Sequence, residues 1–209
     1  MIRRALLALI VVVALGAAPA QAQKIELTPF IGYQFGGTAA LFNGDMKLND
    51  AMNFGGIIDF EVRPGGQIEI SYTRQNTQLQ WRPFSGTPED IDMSVDYWQI
   101  GGLGYVMKGD ARPFVSFTLG ATHFIPREDT INDVRIDDEW RFSFVFGLGA
   151  KYFPNPRVGL RFAGHLYSTF LDTNSGIWCG TASGCSLGFF GAGIFQVDVQ
   201  AGLVIAVGD

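Results

Sequence analysis

The sequence predicts an all-β fold, an eight-stranded antiparallel up-and-down transmembrane β-barrel. Three observations carry that prediction. Large apolar side chains alternate with small or charged ones from about residue 25 to the end, the period of strands, and runs of helical period are absent. Connections alternate between tight and long, as a meander gives when one end of a barrel is plain and the other decorated. The bulkier face cannot point inward, because an eight-stranded barrel is only just wide enough for side chains.

Residues 1–22 read as a cleaved export signal. Arg3 and Arg4 precede the apolar run Ala5 to Gly16, and "APAQA" supplies small residues at the cleavage spacing, after Ala22 or alternatively Ala20. That run is too short for an ordinary spanning helix, and no later segment offers about 20 uninterrupted apolar residues. The mature chain is therefore soluble or spans as strands. Residues 23–209 form one domain, the barrel, with no linker-like segment dividing them.

Strands are expected at 25–36, 53–63, 67–81, 94–107, 113–124, 140–153, 157–170 and 189–207. In the second, Phe54, Ile58, Phe60 and Val62 alternate with Asp59, Glu61 and Arg63. The sixth, "WRFSFVFGLGAKYF", sets Phe142, Phe144, Phe146 and Leu148 against Arg141, Ser143 and Lys151. The seventh sets Val158, Leu160, Phe162 and Leu166 against Arg161 and His165; the eighth sets Phe195, Val197, Val199, Leu203 and Ile205 against Gln196, Asp198, Gln200 and Gly202. These segments reach the roughly 9–11 residues of a tilted membrane strand, longer than the usual five or six of soluble sheets. The apolar face therefore meets lipid, with Tyr33, Phe35, Trp81, Trp140 and Tyr152 as interfacial aromatics. The fourth strand fits neither frame: Tyr97, Leu103 and Tyr105 outward take Gln99 with them, while the opposite frame exposes Trp98, Ile100 and Val106. A β-bulge is one way to reconcile its halves.

"PGG" at 64–66, "KGDAR" at 108–112 and "PNP" at 154–156 read as tight turns, and 37–52, 82–93, 125–139 and 171–188 as long external connections. Cys179 and Cys185 in "CGTASGC" are the only cysteines, and in an exported chain they are expected to form a disulfide that shapes one of these connections.

Losing Arg3 and Arg4 with the signal takes the basic side chains from fifteen to thirteen against twenty acidic ones, a net charge of −7. Nucleic-acid binding, which needs a basic footprint, is excluded. An inward charge network is expected from Glu26, Asp59, Glu61, Glu69 and Asp198 with Arg63, Arg141, Lys151, Arg161 and His165. It either lines a narrow polar path or neutralises itself inside a filled lumen, where unpaired charge is costly. The second reading is preferred.

No catalytic, metal or cofactor motif emerges. The acidic segment 127–139, with Glu128, Asp129, Asp133, Asp137, Asp138 and Glu139, lacks the ordered spacing and glycine of a calcium loop. The glycine pairs lack the strand-to-helix setting and Lys-Ser/Thr of a phosphate loop. His165 and Ser168 in "GHLYSTF" are three apart, so without a bulge they point to opposite faces and the histidine cannot activate the serine.

On these patterns, and on the terminal stretch "QAGLVIAV" with Gln200, Gly202, Ile205 and Val207, residues 24–207 resemble the small eight-stranded Gram-negative outer-membrane barrels, the OmpA/OmpX-type and OmpW-like porin-related group. The stretch is similar to that family's assembly signal, although it closes on Val207 where the family usually has an aromatic. The resemblance implies an outer-membrane location, lipids including lipopolysaccharide and the outer-membrane assembly machinery as partners, no cofactor, and a monomer. The expected function is that of a non-enzymatic barrel with a largely filled polar lumen and four long external loops for surface interaction. Its rivals are a narrow passive porin-like channel for small or apolar solutes, detectable by single-channel recording, and a lipid A-modifying enzyme, detectable by a mass shift in lipid A.

Overall fold

The structure is a computed structural model that describes residues 24–41, 44–83, 89–107, 109–127, 130–131, 134–135, 138–170 and 193–208. The expected export signal and Cys179 and Cys185 lie outside the described residues.

The described residues form twelve strands: β1 (Ile25–Phe35), β2 (Thr38–Leu41), β3 (Gly44–Leu48), β4 (Ala51–Arg63), β5 (Gly66–Pro83), β6 (Glu89–Tyr105), β7 (Ala111–Pro126), β8 (Thr130–Ile131), β9 (Val134–Arg135), β10 (Glu139–Tyr152), β11 (Val158–Phe170) and β12 (Gly193–Val207). Eight of them, β1, β4, β5, β6, β7, β10, β11 and β12, pair antiparallel with their chain neighbours. The pairing of β1 with β12, from Ile25 opposite Val207 to Phe35 opposite Val197, closes the barrel and removes its edges. Each matches an expected strand to within a few residues.

At the short-turn end, β4 and β5 are joined by Pro64 and Gly65. Gly65 has φ +86°, a left-handed conformation that glycine adopts without the Cβ penalty. At the other end the structure departs from expectation. The hairpin β2–β3 occupies much of 37–52 and extends β5 sideways, and the small hairpin β8–β9 sits within 125–139. Residues 82–93 are not a long loop: β5 and β6 stay paired from Gly66 opposite Gly104 up to Trp81 opposite Glu89, leaving only 84–88 between the strands.

The frame of β6 is settled by the same register, which runs without a break against both β5 and β7, so the bulge considered for 94–107 is absent. Val95, Tyr97, Gln99 and Leu103 face inward, and Trp98 and Ile100 face outward. The ambiguity arises because the apolar face changes sides. Below Tyr72 and Trp98 the outer surface is apolar; above them the outward cross-strand pairs are Arg74–Asp96, Asn76–Ser94 and Gln78–Asp92, and the apolar residues point inward. The β5–β6 hairpin thus rises beyond the apolar belt with a polar outer face, on which Asn76, Gln78 and Asp92 are exposed while Ser94 and Asp96 are buried against their hydrogen-bonded and ion-paired partners.

Around the belt, Ile31, Phe54, Ile70, Phe117, Phe142, Phe146, Phe162 and Val199 are exposed while their alternate neighbours are buried. Tyr33, Phe35, Trp140 and Tyr152 are exposed near strand ends, as an aromatic girdle requires; the Trp81 side chain lies outside the described residues.

Candidate functional site

Among the described residues, the inward side chains form three layers along the barrel axis. The layer nearest the short turns is ionic, and the strand register builds it. Glu26 pairs with Asp59, and Asp59 with Glu69, so three carboxylates line one wall on β1, β4 and β5. Lys151 pairs with Arg161 on the opposite wall, on β10 and β11. Like charges on neighbouring strands repel, so each row needs the other reaching across the lumen. The fully buried Lys151 Nζ donates to Glu26 Oε2 at 2.7 Å, Asp59 Oδ2 at 2.6 Å and Gln67 Oε1 at 3.0 Å. Arg161 donates to Glu69 Oε2 at 2.8 Å and to Asp59 Oδ2 at 3.5 Å, and its guanidinium lies over the Phe114 ring. Lys24 reaches Glu26 from the rim at 3.6 Å.

The second layer centres on Asp198, whose carboxylate collects the polar atoms of three strands. Its Oδ2 accepts from Asn53 at 2.7 Å, Tyr167 at 3.0 Å and Gln200 at 2.5 Å, while His165 Nδ1 lies 2.8 Å from Oδ1. Tyr97, Gln34, Gln196 and Gln75 continue the hydrogen-bonded chain upward. Between the layers is a void of about 10 Å³, bordered by Glu69, Ser116, Thr118, His165 and Gln200. That is about the minimum space for one water molecule.

The third layer is apolar. Leu48, Leu79, Ile91, Met93, Val95, Phe124 and Ile194 pack together inside the end bearing the long connections. The interior is therefore not polar throughout, as the sequence reading had it. No inward charge was expected at these positions, but their apolar character was masked by the change of face in β5 and β6.

The expected charge network is divided by the structure. Glu26, Asp59, Glu69, Lys151 and Arg161 meet in the first layer; His165 and Asp198 meet in the second. Arg141 instead pairs with Glu139 at the end of β10. Glu61 borders a cleft at the short-turn rim with Tyr105 and Arg112. Arg63 is turned outward and exposed, because the β4–β5 register shifts between Glu61 and Arg63; a bulge there gives Arg63 the outer face that alternation denies it. Sequence reasoning missed Gln67, Tyr167 and Asn53, which complete the two networks. Their inward parity was readable, but their height along the axis was not.

His165 and Ser168 stand on opposite faces, since the β11 register is continuous and Ser168 pairs with Phe144 and Phe195. In the terminal strand Gln200 is inward and hydrogen-bonded, while Ile205 and Val207 are outward. Gly202 lies against Thr28 and Phe30 of β1. In the acidic segment, Asp138 is hydrogen-bonded to His123 at 2.6 Å, and this bond holds its carboxyl below the usual carboxylate range; Glu128, Asp129, Asp133 and Asp137 lie outside the described residues. His123 stacks on Trp140 at 4.1 Å.

A family described as "Outer membrane protein beta-barrel domain" matches residues 7–189. The fold is similar to that of Neisserial surface protein A (NspA), with 9% identity, TM-score 0.55, and coverage of 87% of this chain and 96% of that one. It is also similar to the outer membrane protein OprG from Pseudomonas aeruginosa, with 12% identity, TM-score 0.56, and coverage of 89% and 96%. No curated protein matches the chain.

Proposed function

The chain belongs to the family of proteins built on the outer membrane protein β-barrel domain, and from that premise we propose that it is a non-enzymatic barrel whose external connections carry recognition while its lumen stays closed. The observation that supports this reading is the set of side-chain contacts that cross the lumen among the described residues. Lys151 and Arg161 bridge three carboxylates across the lumen, the Asp198 layer spans it above, and the void between them holds about 10 Å³. A solute path or a reacting group needs more room, and His165 has no serine on its own face of β11 at activating spacing.

The barrel sits in the outer membrane of a Gram-negative bacterium as a monomer, with its short turns in the periplasm. Lipids including lipopolysaccharide surround its apolar belt, and the assembly machinery reads Gln200, Gly202, Ile205 and Val207. Residues 37–50, 84–88, 127–138 and 171–192 then face outside. Planar-bilayer recording tests the closed lumen: the expected result is no reproducible conductance. Open-channel steps removed by Arg161→Gln but untouched by deleting 128–138 overturn it in favour of a channel, and a mass shift in lipid A from cells expressing the protein overturns it in favour of an enzyme.

A further inference from the structure

One part of the membrane-facing belt lacks the large side chains found elsewhere. On β6 the outward positions after Ile100 are Gly102 and Gly104, and the register sets Gly102 between Ile68 and Phe117, and Gly104 between Gly66 and Val115. The result is an outward groove of about 560 Å³ whose floor is the glycine backbone and whose walls are Ile68 on one side and Val115 and Phe117 on the other. Glycine weakens a strand interior, and often marks a place where a ligand approaches the backbone closely. The floor is not held small by neighbours: a Cβ at Gly104 would meet nothing within 4 Å, and one at Gly102 only the Gln67 carbonyl oxygen at 3.8 Å.

A second feature independently points to an anion. The bulge beside Val62 turns Arg63 out of the lumen and lays its side chain over Gly66, where an added Cβ would sit 2.8 Å from Arg63 Nε. Arg63 thus borders the short-turn end of the groove, and among the described residues it forms no ion pair. A cation on the lipid-facing surface is costly near the midplane but tolerated at the interface, where lipid phosphates lie.

We propose that this groove binds one glycerophospholipid of the leaflet at the short-turn end, an acyl chain lying over Gly102 and Gly104 and the phosphate held by Arg63. The proposal needs the barrel to be embedded in lipid, and is independent of what its external connections recognise.

The test is native mass spectrometry of the full mature chain, folded in mild detergent and incubated with phosphatidylglycerol or phosphatidylethanolamine. The wild type is expected to retain one phospholipid, and Gly102→Leu/Gly104→Leu none. Arg63→Gln is expected to reduce the preference for the anionic lipid about fivefold, the value of one interfacial cation. Heat-shifted electrophoretic mobility checks that each variant is folded, and Arg63→Gln supplies the test by itself if the double variant is not. Equal lipid retention by wild type and folded double variant overturns the site, as does an anionic preference unchanged in Arg63→Gln. A dimer that the leucines abolish also overturns it, by making a second copy the occupant.

Discussion

Lys151→Met is the sharpest test of the ionic layer. The ammonium is fully buried and holds two carboxylates, Glu26 at 2.7 Å and Asp59 at 2.6 Å. Methionine keeps the stem volume and removes the charge. Glu26 is then left with Lys24 at 3.6 Å, and Asp59 with Arg161 at 3.5 Å, while Arg161 remains committed to Glu69 at 2.8 Å. Removing one partner of a buried ion pair costs about 3–5 kcal/mol, most of it the penalty of the charge left behind. The triple variant Lys151→Met/Glu26→Gln/Asp59→Asn removes the orphaned charges as well, and is expected to recover most of that loss. Urea titrations in phospholipid vesicles, followed by tryptophan emission and electrophoretic mobility, measure both. A cost below about 1 kcal/mol for the single variant, the range of an exposed pair, would refute the reasoning, as would a triple variant no better than the single one.

The remaining predictions concern the two faces, one connection and one carboxyl. Leu148 is 54% exposed on the belt, so Leu148→Arg is expected to cost about 2–4 kcal/mol near the midplane, measured by the same titration. Ser143→Ala, on the inner face of the same strand, is expected to cost about 1–3 kcal/mol, because Ser143 Oγ accepts from the buried Gln99 amide at 2.7 Å. Non-reducing mass analysis of protein from the envelope is expected to find Cys179 linked to Cys185, with two free thiols as the contrary result. Carboxyl NMR is expected to place the Asp138 titration below the ordinary carboxylate range and His123→Phe to return it to that range. Because the folded-state value is lowered, this contact contributes fully above the unfolded value and is lost as pH falls through the folded one.

Period-two alternation made all eight barrel strands legible, since a strand between lipid and a packed lumen has two chemically different faces. It failed where the outer solvent changes. Along "EDIDMSVDYWQI" the odd positions Ile91, Met93, Val95 and Tyr97 are apolar, and then the even positions Trp98 and Ile100 take over. The structure has no bulge there; the strand leaves the lipid belt and its buried face becomes the apolar one. A reading that assumes one outside solvent takes the polar positions of 82–93 for a loop. The hairpin β2–β3 had a local turn signal in the Asn43-Gly44 dipeptide, and Gly44 opens β3 opposite Leu41.

The charge network was legible in membership more than in partnership, for a related reason. Alternation says whether a side chain points inward, but height along the axis depends on register, and register is set by turns and bulges that link distant segments. Glu26 and Lys151 are 125 positions apart, yet their strands place them on facing walls at one height. His165 and Asp198 pair directly across β11 and β12, one layer higher, and so belong to a different network. Arg63 shows the limit most clearly: it continues the parity of Asp59 and Glu61, and one irregular residue pair sends it to the opposite side of the wall. An inward-pointing Arg63 would have added a third cation to the lumen, on the short-turn side of the three carboxylates that Lys151 and Arg161 hold. Turned outward, it leaves those carboxylates to the partners they have and places its charge at the rim of the glycine groove, which is why the fate of that single side chain separates a lumen function from a lipid contact.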